Sequence, residues 1–222
     1  MNSNSKFRFF QMVIFLLMIV ATTSCNQRAV TEKNENSQQS ADESSLMIQP
    51  TQDTTLEVYR EQGKTIVKAT FKALSAQLKS ALQQEGVPFA LSFCNVAALP
   101  ITDSLAKLYQ VDIKRVSLRN RNPDNAPTAM EKSLLQSIDK LAVASYDGLT
   151  MVVRDQDENP VFVQPIVVAD NCLQCHGNVK TQIGETNYEL IKSLYPNDLA
   201  TGYQVGDLRG IWRVRFSENP AE

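Results

Sequence analysis

The sequence predicts an α+β domain, an antiparallel sheet with helices packed on one side. Three observations lead there. Leu56, Tyr59, Ile66, Val67, Phe71, Leu74, Leu78 and Leu82 recur at helical spacing and share a broad apolar face. The segments 111–118, 149–154, 161–168 and 210–216 have the length and patterning of strands. The turns between elements are short, and one of them is Asp-Glu-Asn-Pro at 157–160.

The 222 residues leave room for one ordinary domain with appendages. With 43% hydrophobic and 21% charged residues the chain reads as globular, and its net charge of −2 gives nucleic acid no basic surface to bind. The four cysteines and the single histidine limit any metal site.

The amino terminus reads as an address. Lys6 and Arg8 precede an apolar run from Met12 to Ala21, and no acid occurs before Glu32. The run suits a secretory signal and is too short to span a membrane. Thr22-Thr23-Ser24-Cys25 resembles the lipobox of bacterial lipoproteins, with Thr22 where a leucine is usual. Residues 1–24 are thus expected to be a lipoprotein-type signal peptide and Cys25 the lipidated residue. An ordinary cleaved signal is the alternative, and both place the protein outside the cytoplasm, in the cell envelope or periplasm. Cleavage removes Lys6 and Arg8 and no acid, leaving 20 basic against 24 acidic residues, a net charge of −4. Attachment to a membrane would then come from lipid on Cys25, not from charge. Residues 26–55 are polar and lack aromatics, so with Cys25 they read as a flexible tether of about 30 Å reach.

The folded domain is expected over 56–222. Gly86 ends the first helix. Pro88 opens a second, which carries Cys94 and stops near Pro100. A short helix spans Thr102 to Tyr109, and Val111 to Leu118 is a strand. Arg119 to Pro127 is a loop. Thr128 and Glu131 have capping-box spacing and start a helix to about Ala144. Leu149–Arg154 and Val161–Val168 form two strands, with Pro165 weakening the second or placing it at an edge. A short helix lies near Tyr188–Leu194. In the last strand Trp212, Val214 and Phe216 alternate with Arg213 and Arg215.

Between these elements stands Cys172-Leu173-Gln174-Cys175-His176. This spacing attaches c-type haem: two thiols form thioethers to the vinyl groups, and the adjacent imidazole faces the iron. Attachment takes place in exported compartments, in agreement with the signal sequence. One covalently bound haem c is therefore the expected cofactor. Two rivals exist. Cys94, Cys172, Cys175 and His176 could bind structural zinc, or Cys172 and Cys175 could form a redox disulfide. Neither explains a histidine directly after the second cysteine.

His176 is the only histidine, so a second axial histidine is impossible within one chain. Cys94 lies in a probable helix near Ala90, Leu91, Ala97 and Ala98, small residues that would admit a flat macrocycle. It reads equally as an axial ligand or as a small buried hydrophobe. Arg119, Arg121, Arg209 and Arg213 are candidates for the haem propionates, against the plainer reading of solvated charges.

Four stretches together carry a resemblance. They are Cys94 in Ser-Phe-Cys-Asn-Val-Ala; Arg115 to Pro127 with Glu131 after it; Cys172-Leu-Gln-Cys-His-Gly177; and Gly202-Tyr-Gln-Val-Gly-Asp-Leu-Arg-Gly210. Over about 56–216 the chain resembles a family of exported bacterial single-haem c-type domains with a PAS-like fold, known as a domain of unknown function. The resemblance implies that Cys94 and His176 are the axial iron ligands. The inserted pair in Arg119-Asn-Arg-Asn-Pro leaves both Arg119 and Arg121 as matches to the family arginine.

Three functions follow as expectations. The first is a redox or small-ligand sensor, which needs a signalling partner because the chain carries no output domain. The second is a periplasmic single-haem electron carrier with a redox donor or acceptor. The third and weakest is an enzyme such as a peroxidase, whose distal group would have to be a carboxylate, an arginine or a displaced Cys94.

Overall fold

The computed structural model describes residues 54–217. The expected signal peptide, Cys25 and the tether up to residue 53 lie outside the described residues, and the last two tether residues, 54 and 55, begin the first helix. Helix α1 (Thr54–Tyr109) leads into β1 (Val111–Val116), α2 (Ala129–Asp139), β2 (Met151–Arg154) and β3 (Pro160–Val167). The one-turn helix α3 (Leu173–His176), helix α4 (Glu185–Leu194) and β4 (Leu208–Phe216) complete the chain. The four strands form one antiparallel sheet in the order β1-β4-β3-β2, and the fold is α+β and PAS-like.

The sheet is covered on both faces, not on one. Residues alternate sides along a strand. Ile66 and Val67 of α1 pack on Ile113, Phe162, Trp212 and Val214. Leu135 and Ile138 of α2 pack on Val116, Val161, Val163 and Ile211 on the other side. Arg213 alternates with Trp212 and Val214, a pattern that predicts a solvent face. Arg213 is buried under α2 instead, where its Nε donates to Glu131 at 3.0 Å and its Nη1 to Asp112 at 2.6 Å. It is therefore removed from the propionate candidates.

Helix α1 bends at Glu85 and Gly86, where Gly86 takes φ +76°. That conformation is open to glycine, and it separates residues 54–84 from 87–109. Pro100 does not stop the second part. It is exposed, and the carbonyl four residues back belongs to Val96, itself 75% exposed, so water can take the place of the lost hydrogen bond. Phe71, expected on the apolar face, is 60% exposed, and Thr70 is buried in its stead with its hydroxyl donating to the Ile66 carbonyl at 2.8 Å. Gly63 lets helix and sheet close: a Cβ there would stand 2.2 Å from the Phe162 ring.

Helix α2 begins with the expected capping box. The Thr128 hydroxyl accepts from the Glu131 N–H, and the Glu131 carboxylate accepts from the Thr128 N–H. It ends at Asp139, earlier than expected, because extended backbone at Ala142 turns Tyr146 back into the α2-side core. β3 is an interior strand, and Pro165 lies beyond its last pair with β2, Met151↔Val163, where only β4 flanks it, through Ile211.

Candidate functional site: a histidine and three cysteines beside an arginine cluster

The Cys-x-x-Cys-His segment enters through a short turn at Asp170–Cys172 and forms α3. Cys172 and Cys175, three residues apart, share a helix face, and both are free thiols. Cys175 packs against the apolar group of Leu91, Ile183 and Ile191, and Cys172 against Val168, Ala200 and Tyr203. Leu91 lies one helical turn before Cys94, so α1 brings its cysteine to the motif. Cys94 is partly buried.

The backbone fixes the histidine. Its Nδ1 lies 2.7 Å from the Ala200 carbonyl, which only accepts, so Nδ1 carries the proton and Nε2 keeps its lone pair. Burial first, then the fields of Arg209 and Arg121, hold the imidazole well below its usual pKa, so the ring is neutral near pH 7. A neutral, oriented imidazole is the form that binds metal. The Gly177 carbonyl accepts from Gly202 N–H at 2.7 Å, and the His176 carbonyl from Tyr203 N–H at 2.9 Å, so the 200–203 strand of chain is laced to the motif.

Arg121 locks this arrangement. It pairs with Asp198 at 3.0 Å, where the side chains are 11% and 1% exposed, and its Nη2 donates to the Cys175 carbonyl at 2.7 Å and to the Ala200 carbonyl at 3.3 Å. Asp198 also accepts from Ala200 N–H at 3.0 Å. Arg119 donates to the carbonyls of Leu199 and Thr201. Arg209 donates through Nη1 to Ser117 at 2.8 Å and to the Arg119 carbonyl at 3.1 Å. Arg119 and Arg209 both stand over the Tyr203 ring, at 4.0 and 5.3 Å from its centroid, and that ring meets His176 edge-on. All three candidate arginines thus gather beside the motif. Arg121 and Arg119 are engaged chiefly with protein, while Arg209 keeps Nε and Nη2 outside any hydrogen bond among the described residues.

Two side chains stand here that the sequence reading passed over. Tyr203 is one. Arg115 is the other: it is half-buried, and its guanidinium lies 5.9 Å from the centroid of the Trp212 ring. The available signal was a charge in the inward phase of β1, in step with Ile113. Burial pushes the Cys94 and Cys175 thiols up, against the opposing pull of Arg115 and Arg121 on the first and of Arg121 on the second.

These residues fit a c-type haem: two thiols on one helix face, a free imidazole nitrogen, apolar walls and a guanidinium, Arg209, with open donors. Among the described residues no three His, Cys, Asp or Glu side chains converge as a metal cluster, so the zinc arrangement of Cys94, Cys172, Cys175 and His176 is not formed.

No curated protein matches this chain. Among solved structures, the cyanobacterial heme-protein Tll0287 superposes with a TM-score of 0.55 over 73% of this chain and 98% of that one, at 24% identity, a likeness of fold. A family model described as Tll0287-like matches residues 23–217. That match spans most of the sequence and all four stretches of the resemblance, and this chain belongs to the Tll0287-like family.

Proposed function

We propose that this protein is an exported, lipid-anchored haem c protein that senses redox state or a small ligand. Cys172 and Cys175 hold the haem covalently, and His176 and Cys94 are its axial ligands. The observation that carries the reading is the Nδ1 bond of His176 to the Ala200 carbonyl, which leaves Nε2 with its lone pair directly after the two cysteines. The family relative described as a heme-protein supports the choice of cofactor. Arg209, with two free donor positions, is the first candidate for a propionate, and Arg119 the next.

The haem supplies one-electron chemistry at iron and a site for a diatomic gas when an axial position opens. The chain supplies the asymmetry. His176 is held by Ala200, Arg121 and Asp198, so it stays. Cys94 sits on residues 87–109, joined to the rest of α1 through the non-helical pair Glu85–Gly86, so it is the ligand free to leave. The rigid histidine side also suits a single-haem electron carrier in the envelope, which is the second reading.

Mature protein made with a c-type haem maturation system tests both. Haem that stays attached after denaturation, with a ferric spectrum altered in Cys94→Ala, is the expected result. Loss of the sixth ligand on reduction, with CO or NO binding, supports the sensor. Retention of that ligand with fast electron exchange supports the carrier. Absence of attached haem overturns the proposal.

A further inference from the structure

Between the end of α2 and the start of β4 lies a cavity of about 320 Å³, the size of a small-molecule site. Leu135 and Tyr146 of the α2-side core form part of its wall. None of Cys94, Cys172, Cys175 and His176 lines it. Four charged side chains do: Arg119, Arg209, Asp139 and Asp207. Among the described residues none of the four belongs to a salt bridge. Charges of both signs that face one cavity without neutralising each other suit a ligand that carries both. Arg209 keeps Nε and Nη2 open, so a haem propionate need not exhaust it. Asp207 is held in place, its Oδ2 accepting from the Gln204 N–H at 2.8 Å. Asp139 is the last residue of α2, where the helix dipole disfavours an anion, and no basic residue of that turn offsets it. Tyr146 is 7% exposed, yet its phenol makes no hydrogen bond among the described residues, although a buried phenol ordinarily has a partner. Leu141 and Val143 also line the cavity and stay 43% and 58% exposed.

We propose that this cavity binds a small zwitterion of the α-amino acid type with an apolar side chain. Arg209, with Arg119 as a second cation, takes the carboxylate, because guanidinium and carboxylate form charge-assisted hydrogen bonds. Asp139 and Asp207 take the ammonium, and the Tyr146 hydroxyl offers one further polar contact. The ligand's apolar part covers Leu141 and Val143 and removes their surface from water. Tyr203 lines the cavity too and meets His176 edge-on, which sets the ligand one side chain from the motif. Binding does not depend on the haem reading, since no side chain of the motif lines the cavity.

The test is calorimetric titration of the mature protein with L-leucine and L-alanine, beside isocaproate, which is leucine without its ammonium, and isoamylamine, which is leucine without its carboxylate. Haem per chain is measured in every sample. L-leucine is expected to bind at one site per chain, and each half-charged analogue about tenfold or more weaker, the loss that goes with one charge-assisted contact. Asp139→Asn should weaken L-leucine about tenfold and leave isocaproate unmoved. Arg209→Gln should weaken L-leucine and isocaproate alike and leave isoamylamine unmoved. Asp139 is exposed, so its variant folds and decides the matter even if Arg209→Gln loses haem or stability. Failure of both amino acids to bind overturns the proposal. Isocaproate as tight as L-leucine overturns it as well, leaving a plain anion site. An L-leucine affinity unchanged in Asp139→Asn places any binding outside this cavity and overturns it too.

Discussion

The two faces of the sheet treat their inward arginines differently. Under α2, Arg213 meets Glu131, 5% exposed, and Asp112, and its electrostatics are closed within the protein. Under α1, Arg115 is half-buried beside the Trp212 ring and makes no hydrogen bond or ion pair among the described residues. The α2 face neutralises its arginine with carboxylates of the chain, and the α1 face leaves its arginine to an aromatic ring and to solvent. The α1 face tolerates an arginine with no carboxylate because that side chain is only half-buried and water reaches its nitrogens.

The largest effect expected on the closed face is from Arg213→Ala. It leaves Glu131 buried without its partner, at a cost of about 3–5 kcal/mol in denaturant unfolding. The same measurement on Arg115→Ala should show far less, since no pair is broken. Equal losses at both positions would break the contrast between the faces.

Next comes Gly63→Ala. The added methyl meets the Phe162 ring, and Phe162 is fully buried in a core with no room to yield. Overpacking of this kind costs about 1–3 kcal/mol, seen as a lower urea midpoint with an unchanged slope. The loss belongs to the α1 face alone, so haem attachment at Cys172 and Cys175 should survive in the folded fraction. Thr128→Ala is smaller. It removes one capping-box hydroxyl from α2, worth about 1 kcal/mol, and leaves the spectrum of the site unaltered.

Local signals were legible in the sequence. The capping box at Thr128 and Glu131 needs only residues three apart, and the helix break at Gly86 needs only one glycine. The one-turn helix at Leu173–His176 follows from equally local spacing. What escaped was decided by packing. Pro100 continues a helix because Val96 happens to face water. The side of Arg213 depends on a carboxylate 82 residues away. The support of His176 is a backbone carbonyl of Ala200, which no side-chain pattern announces, and Asp198 holds that carbonyl's segment from a stretch that reads as loop. Arg115 carried a readable cue, since residues 111, 113, 115 and 117 share a face, but the functional weight fell on the arginines of the following loop instead.

The smallest effect is a pH dependence far from the site, at the hairpin between β2 and β3. Burial alone would raise the Asp155 carboxyl, but hydrogen bonds from Arg215 and from the N–H groups of Asp157 and Asn159 outweigh it, and the net shift is downward. A carboxyl lowered in the folded state stabilises fully above its unfolded value of about 3.9. That contribution is lost as the pH falls from there through the lowered folded value. Asp155→Asn should therefore be less stable than the parent by a constant amount near neutrality, and the gap should narrow below about pH 4. The gap is about 1 kcal/mol or less, because Arg215 keeps 34% of its side chain in solvent. A gap that persists unchanged to pH 2 would assign the loss to the turn's hydrogen bonds and not to charge. Neither result should move the haem spectrum, since Arg215, like Arg213, points to the α2 side of β4, away from Trp212 and Arg115.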